Sequence, residues 1–190
     1  EFRRVLFRSF DGPDYRAFKA ALGADLASAR TSAEALPELP AALPAPAAAL
    51  PAWAAAFVRF EDLSARLSHL GSYLGCLGAA NAADEAVQAE DAALALTAAE
   101  LGKVRTQLRR ALRPAGPEVL ARLLEEPVLQ GAAHTVRRQH AEAGFQMSAE
   151  QEALAADLGV DGFEGWGRLY DTLGGKMTFE LGHPDGRRET

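Results

Sequence analysis

From Trp53 to Leu77 the chain sets Trp53, Phe57, Phe60, Leu63, Leu67, Leu70, Leu74 and Leu77 at unbroken steps of three or four residues. A strand would repeat every second residue, so this ladder is one face of a long α-helix that neighbours must cover. Gly71, Gly75 and Gly78 interrupt the same helix. Each costs up to ~1 kcal/mol relative to alanine in a helix interior, which predicts the close approach of another backbone there. Arg59, Glu61, Asp62 and Arg66 argue against reading the glycines as a membrane-dimer face, which needs an apolar helix. Asn81 and Asp84 then punctuate a turn, and Val87, Leu94, Leu101, Val104, Leu108 and Leu112 line one side of a second long helix. Two such helices joined by a short turn form a hairpin, the unit of all-α bundles.

The flanking segments read as further helices. Asp11-Gly-Pro-Asp14 is a start signal in which either aspartate can cap free amides and Pro13 fits the first turn. Tyr15, Phe18, Leu22 and Leu26 then predict an amphipathic helix to about Arg30. Pro37, Pro40, Pro44, Pro46 and Pro51 forbid a continuous helix. The Pro/Ala-rich stretch 36–52 is read as a semi-rigid linker or lid across the bundle surface, with a proline-rich ligand for another domain as the alternative. Pro114-Ala-Gly-Pro117 ends the second long helix, Val119, Leu120, Leu123 and Leu124 face a short one, and Pro127 opens another to about Ala143. Ser148-Ala-Glu-Gln151 fits a capping box ahead of Leu154 and Leu158. Phe163, Trp166, Leu169, Tyr170 and Leu173 share a last helical face. Lys176 to Leu181 alternates in polarity before the turn signal Gly182-His-Pro-Asp-Gly186. The expected fold class is therefore all-α, mainly a helical bundle, with a short β-strand or hairpin at the C-terminal end.

Composition narrows the function classes. A chain of 190 residues, 48% apolar and 24% charged, is long enough for one apolar core. A formal net charge of -6 leaves no basic footprint, so nucleic acid is not an expected partner. Charged residues interrupt every helical segment, so no membrane span is expected. Cys76 is the single cysteine, which excludes an internal disulfide and fits a reducing, cytoplasmic compartment. Arginine far outnumbers lysine and alanine abounds, a bias of GC-rich coding that suggests a bacterial source. Residues 1–9, Glu-Phe-Arg-Arg-Val-Leu-Phe-Arg-Ser, fit nothing that follows and are read as an adapter or cloning artefact, with a genuine amphipathic arm as the alternative.

Reactive constellations are not apparent. His69, His134, His140 and His183 include no pair at the four-residue spacing that two imidazoles on one helix need for a metal, and HExxH is absent. Cys76 falls within the Leu74-to-Leu77 seam and reads as a small core residue. Glu125 and Glu126 are adjacent, point about 100° apart on a helix and so read as solvated charge. Gly174-Gly175-Lys176 lacks the spaced glycine and hydroxyl of a phosphate loop, and reads as a helix end. No residue of this chain is assigned a catalytic, cofactor-binding or metal role.

Four segments carry a resemblance. Phe60 to Asp84, with Leu70-Gly-Ser-Tyr73-Leu-Gly75 followed by Ala79-Ala-Asn-Ala-Ala-Asp84, is similar to the early helical hairpin of the oligoendopeptidase F family. Met147 to Leu158 resembles that family's Leu-Ser-Glu-Glu-Glu-Glu-x-Leu-Leu segment, Gly165 to Leu173 resembles its Ala-Trp-x-x-Leu-Tyr-x-x-Leu helix, and Met177 to Leu181 resembles the strand that follows. Order and spacing agree over about residues 10–190; the stretch before Trp53 and the glycines around Trp166 depart from the pattern. The resemblance implies a cytoplasmic zinc metalloendopeptidase that hydrolyses short peptides inside a channel. Its HExxH and downstream glutamate would lie in a later domain, where zinc polarises the scissile carbonyl and activates water. It implies that residues 10–175 are an N-terminal helical lobe walling the channel, and that residues 176–190 begin a truncated β-hairpin leading to a missing catalytic domain. The expected partners are short peptides and that catalytic domain, and this fragment alone is expected to be inactive. The alternative is a non-catalytic helical interaction or scaffold module.

Overall fold

A computed structural model describes residue 7, residues 9–184 and residues 188–189. Seven α-helices follow one another among them: α1 (Pro13–Glu34), α2 (Ala49–Ala80), α3 (Glu85–Leu112), α4 (Pro117–Leu123), α5 (Ala133–Ala143), α6 (Ala149–Asp161) and α7 (Phe163–Lys176). Two short strands, β1 (Leu181–Gly182) and β2 (Arg188–Glu189), pair antiparallel with Leu181 opposite Glu189. The all-α expectation holds, and the strand begins at Leu181, later than the alternation from Lys176 predicts.

The two long ladders meet as a hairpin, with α1 packed along both helices. Trp53, Phe57, Phe60, Leu63, Leu70 and Leu74 of α2 are buried, Leu67 and Leu77 pack at the core's edge, and every predicted α3 position from Val87 to Leu112 is buried. Tyr15, Leu22 and Leu26 supply the α1 side. Phe7 also lies in this core, 5.2 Å from the Tyr15 ring and 5.3 Å from the Tyr73 ring between centroids. The helix α1 starts at the Gly12 cap with no side-chain cap bond, so neither Asp11 nor Asp14 caps it. It runs on to Glu34, past the predicted end, because Thr31 and Ser32 turn their hydroxyls onto the carbonyls four residues back instead of breaking the helix.

Residues 36–48 cross between α1 and α2 and are anchored to the last turn of α3. The Leu39 amide donates to Ala111 O at 2.8 Å, and Arg110 Nη2 donates to Leu36 O at 2.7 Å. Leu36 and Leu39 are buried and Leu43 is exposed, so two of the strap's three leucines reach the core while Pro37, Pro44 and Pro46 stay outside and Pro40 is half-buried. The strap also runs against the α4 cap: a Cβ on Gly116 would stand 1.9 Å from Ala41 O.

One predicted helix is divided. Pro127–Leu129 forms a single 3-10 turn, and Gly131 adopts φ +86° before α5 begins. That left-handed conformation is one only glycine adopts at little cost, so Gly131 ends the turn and re-aims the chain.

The hairpin turn is fixed by its own side chains. Asp84 Oδ1 accepts from the amides of Ala86 at 3.0 Å and Val87 at 3.2 Å, capping α3. Asp84→Ala should cost about 1 kcal/mol in a urea denaturation series while Asp84→Asn loses far less, as expected for an N-cap; equal losses in the two variants would refute the cap assignment.

The helix α6 packs along α3 and is tied to it by one ion pair, between Lys103 and Asp157. Lys103 Nζ lies 2.8 Å from Glu100 Oε1 and 2.7 Å from Asp157 Oδ1, and Arg30 Nη1 is 2.5 Å from Glu100 Oε2. The hydrogen bond from Lys103, joined by Arg30, holds the Glu100 carboxyl below its ordinary 4.5. The bond to Asp157, then that to Glu100, holds Lys103 above its ordinary 10.5. Glu100 therefore contributes stability above pH 4.5 that is lost as pH falls through its folded value. Lys103 contributes stability below pH 10.5 that is lost as pH rises through its own. Both groups are partly exposed, so the effect is modest. Between pH 7 and pH 3 the urea midpoint of the wild type should fall more steeply than that of Lys103→Met; parallel curves would show that these ion pairs contribute nothing.

Candidate functional site

Where α7 crosses the α2–α3 hairpin, a groove of about 520 Å³ opens. Leu74, Gly75, Gly78 and Val87 contribute to it from the hairpin, with Asp91 from α3 and Arg168, Tyr170 and Asp171 from α7. The predicted backbone approach at Gly71, Gly75 and Gly78 does not occur. A Cβ would meet nothing within 4 Å at Gly75 or Gly78, and at Gly71 only Leu94 Cδ2 at 3.8 Å. Two of the three glycines instead leave the groove empty above the helix backbone. The close approach falls at Gly175, where a Cβ would stand 2.2 Å from Ala82 Cβ. The last turn of α7 is thus seated on the hairpin turn, which the side chains of Asn81 and Gln88 brace: Asn81 Oδ1 accepts from Ala83 N at 3.2 Å and Gln88 Nε2 donates to Ala82 O at 2.6 Å.

A second feature adjoins the groove. The predicted face of α7 exists, but it turns to solvent: none of the helix's side chains is buried, and Phe163, Trp166 and Tyr170 are 85%, 72% and 77% exposed. Leu154 and Leu158 of α6 and Phe179 beyond α7 are exposed as well. Scattered apolar residues on a surface are ordinary, whereas a contiguous set of large ones marks a contact surface. On α6 the expected capping box is in place, with Gln151 N donating to Ser148 Oγ at 3.3 Å and Ser148 N donating to Gln151 Oε1 at 3.2 Å.

The reactive side chains weighed in the sequence are dispersed. Cys76 is exposed, contrary to the core reading; it lies two residues after Leu74, so at 100° per residue it points away from the buried seam. His140 Nε2 is 2.9 Å from Ala115 O, and because a carbonyl only accepts, that ring nitrogen carries the proton. His69 packs its ring 5.3 Å from Phe7 and 5.9 Å from Phe18. His134 is exposed on α5 and His183 follows β1. Glu125 pairs with Arg122 at the surface, and Gly174 to Lys176 close α7. Among the described residues no three His, Cys, Asp or Glu side chains stand close enough to hold a metal ion, so the described donor set does not fit zinc. No helix among them is long and apolar enough to cross a membrane.

Tyr15 is strongly perturbed. It is 1% exposed, and its hydroxyl donates to Glu90 Oε1 at 2.9 Å, the same oxygen that Lys19 Nζ reaches at 2.5 Å. Burial first, then the Glu90 carboxylate, pushes its phenol far above the ordinary 10, so it stays protonated and serves as a donor joining α1 to α3.

Among the described residues these features define an all-α bundle that presents a groove and a solvent-facing aromatic helix. Residues 112–179, from the end of α3 to just beyond α7, match the family model described as Oligopeptidase F, which covers the N-terminal part of M3 peptidases, and the match supports a likeness of this stretch to the N-terminal region of an oligoendopeptidase F family peptidase. No curated protein and no solved structure matches the chain.

Proposed function

We propose that this chain is the N-terminal helical lobe of an oligoendopeptidase F-like zinc endopeptidase, walling one side of a channel in which short peptides are hydrolysed. The observation that carries the reading is the exposed apolar face of α7, which lies inside the matched stretch. Phe163, Trp166 and Tyr170 recur at helical spacing on a side of the lobe that nothing in the described residues covers. Seating that face against a catalytic domain would remove apolar surface worth about 25 cal/mol per Å² and close one side of a channel. Zinc and the residues that hold it would belong to that domain, and exclusion of folded proteins would be steric.

The test is to recover the open reading frame that contains this sequence and to assay its product on quenched-fluorescent short peptides with and without a zinc chelator. Chelator-sensitive cleavage by the full product, with none from residues 1–190 alone, is expected. A frame without HExxH, or a full product that is inert with zinc supplied, would leave the non-catalytic interaction module as the better account. As an independent check, the 190-residue chain should bind a hydrophobic dye through α7, and Trp166→Glu with Tyr170→Glu should abolish most of that signal without lowering helicity.

A further inference from the structure

We infer that the groove between the α2–α3 hairpin and α7 holds a short, extended peptide by a lysine or arginine side chain, with Asp91 and Asp171 as its counter-charges. This deepens the peptidase reading by naming a basic residue as a feature of the bound peptide. The walls carry three carboxylates, Asp84, Asp91 and Asp171, against one guanidinium, Arg168. Asp84 is committed to the α3 amides and Arg168 Nη2 donates to Val160 O at 2.8 Å. Among the described residues no lysine or arginine closes an ion pair with Asp91 or Asp171. The last turns of α2 and α7 reach the groove through Gly78 and Gly174, and helix C-termini carry negative partial charge, while the positive N-terminus of α3 beside them is capped by Asp84. The field in the groove therefore favours a cation.

Its shape favours a peptide over a bare ion. About 520 Å³ lies within the range of small-ligand clefts, roughly 300–1,000 Å³. Ala79 and the ring of Tyr170, both exposed in the lining, offer apolar surface to the methylene stem of a long cationic side chain whose head stays at the carboxylates. The open space above Gly75 and Gly78 lets a second backbone lie against α2.

The test uses the 190-residue chain and end-blocked, fluorescein-labelled Ala-Leu-Arg-Leu-Ala, with its citrulline counterpart as the neutral isostere. Fluorescence anisotropy should show binding of the arginine peptide that weakens with salt, and at least about threefold weaker binding of the citrulline peptide. Asp91→Asn and Asp171→Asn should each weaken the arginine peptide about threefold and together about tenfold, if each exposed pair contributes as such pairs do. Gly78→Leu fills the groove from a position where the fold has room, so it should abolish binding while helicity is kept and the melting temperature does not fall below wild type. Equal binding of the two peptides, binding that survives Gly78→Leu, or n-butylamine competing as well as the peptide would overturn the proposal. So would self-association of the chain that Gly78→Leu abolishes without any peptide binding, since the occupant would then be a second copy. Cleavage of neutral peptides by the full reading-frame product is unaffected by any of these outcomes, so the peptidase reading stands or falls apart from this one.

Discussion

Replacing Trp53 by alanine is expected to remove about 3–5 kcal/mol of stability, the largest effect of any single change considered. Trp53 is fully buried, stacks on Phe57 with ring centroids 5.4 Å apart and an interplanar angle of 11°, and donates from Nε1 to Leu108 O at 3.0 Å. It therefore joins the start of α2 to the end of α3 by apolar area and by a directional bond at once. Trp53→Phe keeps much of the area and loses the bond, so it should cost about 1–3 kcal/mol. Domains of this size are stable by only about 5–15 kcal/mol, so the alanine variant should shift the urea midpoint by a large fraction of its value. A phenylalanine variant as stable as wild type would show that the indole bond contributes nothing, and equal losses for both would show that the area does not matter.

The second large effect is expected at Gly116. Its backbone, φ -76° and ψ 171°, suits any residue, so the glycine is not required for conformation. It is required for space, because an added Cβ would stand 1.9 Å from Ala41 O and 3.0 Å from Ala41 C. Those are backbone atoms of a strap tied to α3 through Leu39 N and Arg110, and no flexible side-chain end can yield. Gly116→Ala should cost about 1–3 kcal/mol, in the range of overpacked cores, and should expose the strap to limited proteolysis near Ala41. Gly23→Ala is the matched control: nothing lies within 4 Å of a Cβ there, and an alanine in an exposed helix interior should add about 0.5–1 kcal/mol. A Gly116→Ala protein no less stable than wild type, with the strap equally resistant, would mean that residues 36–48 are not anchored as described.

The helices of the hairpin were legible because their apolar residues repeat at the helical period over many turns and Asp84 marks the turn between them, and the start of α6 was legible from the capping box at Ser148. Boundaries governed by one residue were not. The division of 127–143 turns on the left-handed φ of Gly131, a glycine that sequence alone offers equally as a tolerated interior residue. The burial of Cys76 was misjudged by reading a segment when the angle around the helix was the relevant quantity, and that signal was present. The groove was not legible at all. It depends on α7 crossing the hairpin, which is set by Gly175 against Ala82 and by the α3–α6 ion pair, contacts between residues some ninety and fifty positions apart. The aromatic face of α7 was visible as a pattern, but periodicity gives the side of a helix and not what that side faces.

The uneven burial along the chain has a consequence for its synthesis. The core is built by α1 to α5, whereas among the described side chains α6 and α7 add only Val160 to the buried set. A ribosome delivers residues in that order, at roughly 5–20 per second, so the bundle can close before Phe163 and Trp166 emerge. The aromatic helix is thus made after the bundle it rests on, and it reaches solvent on a body already folded enough to present it rather than bury it in the wrong place.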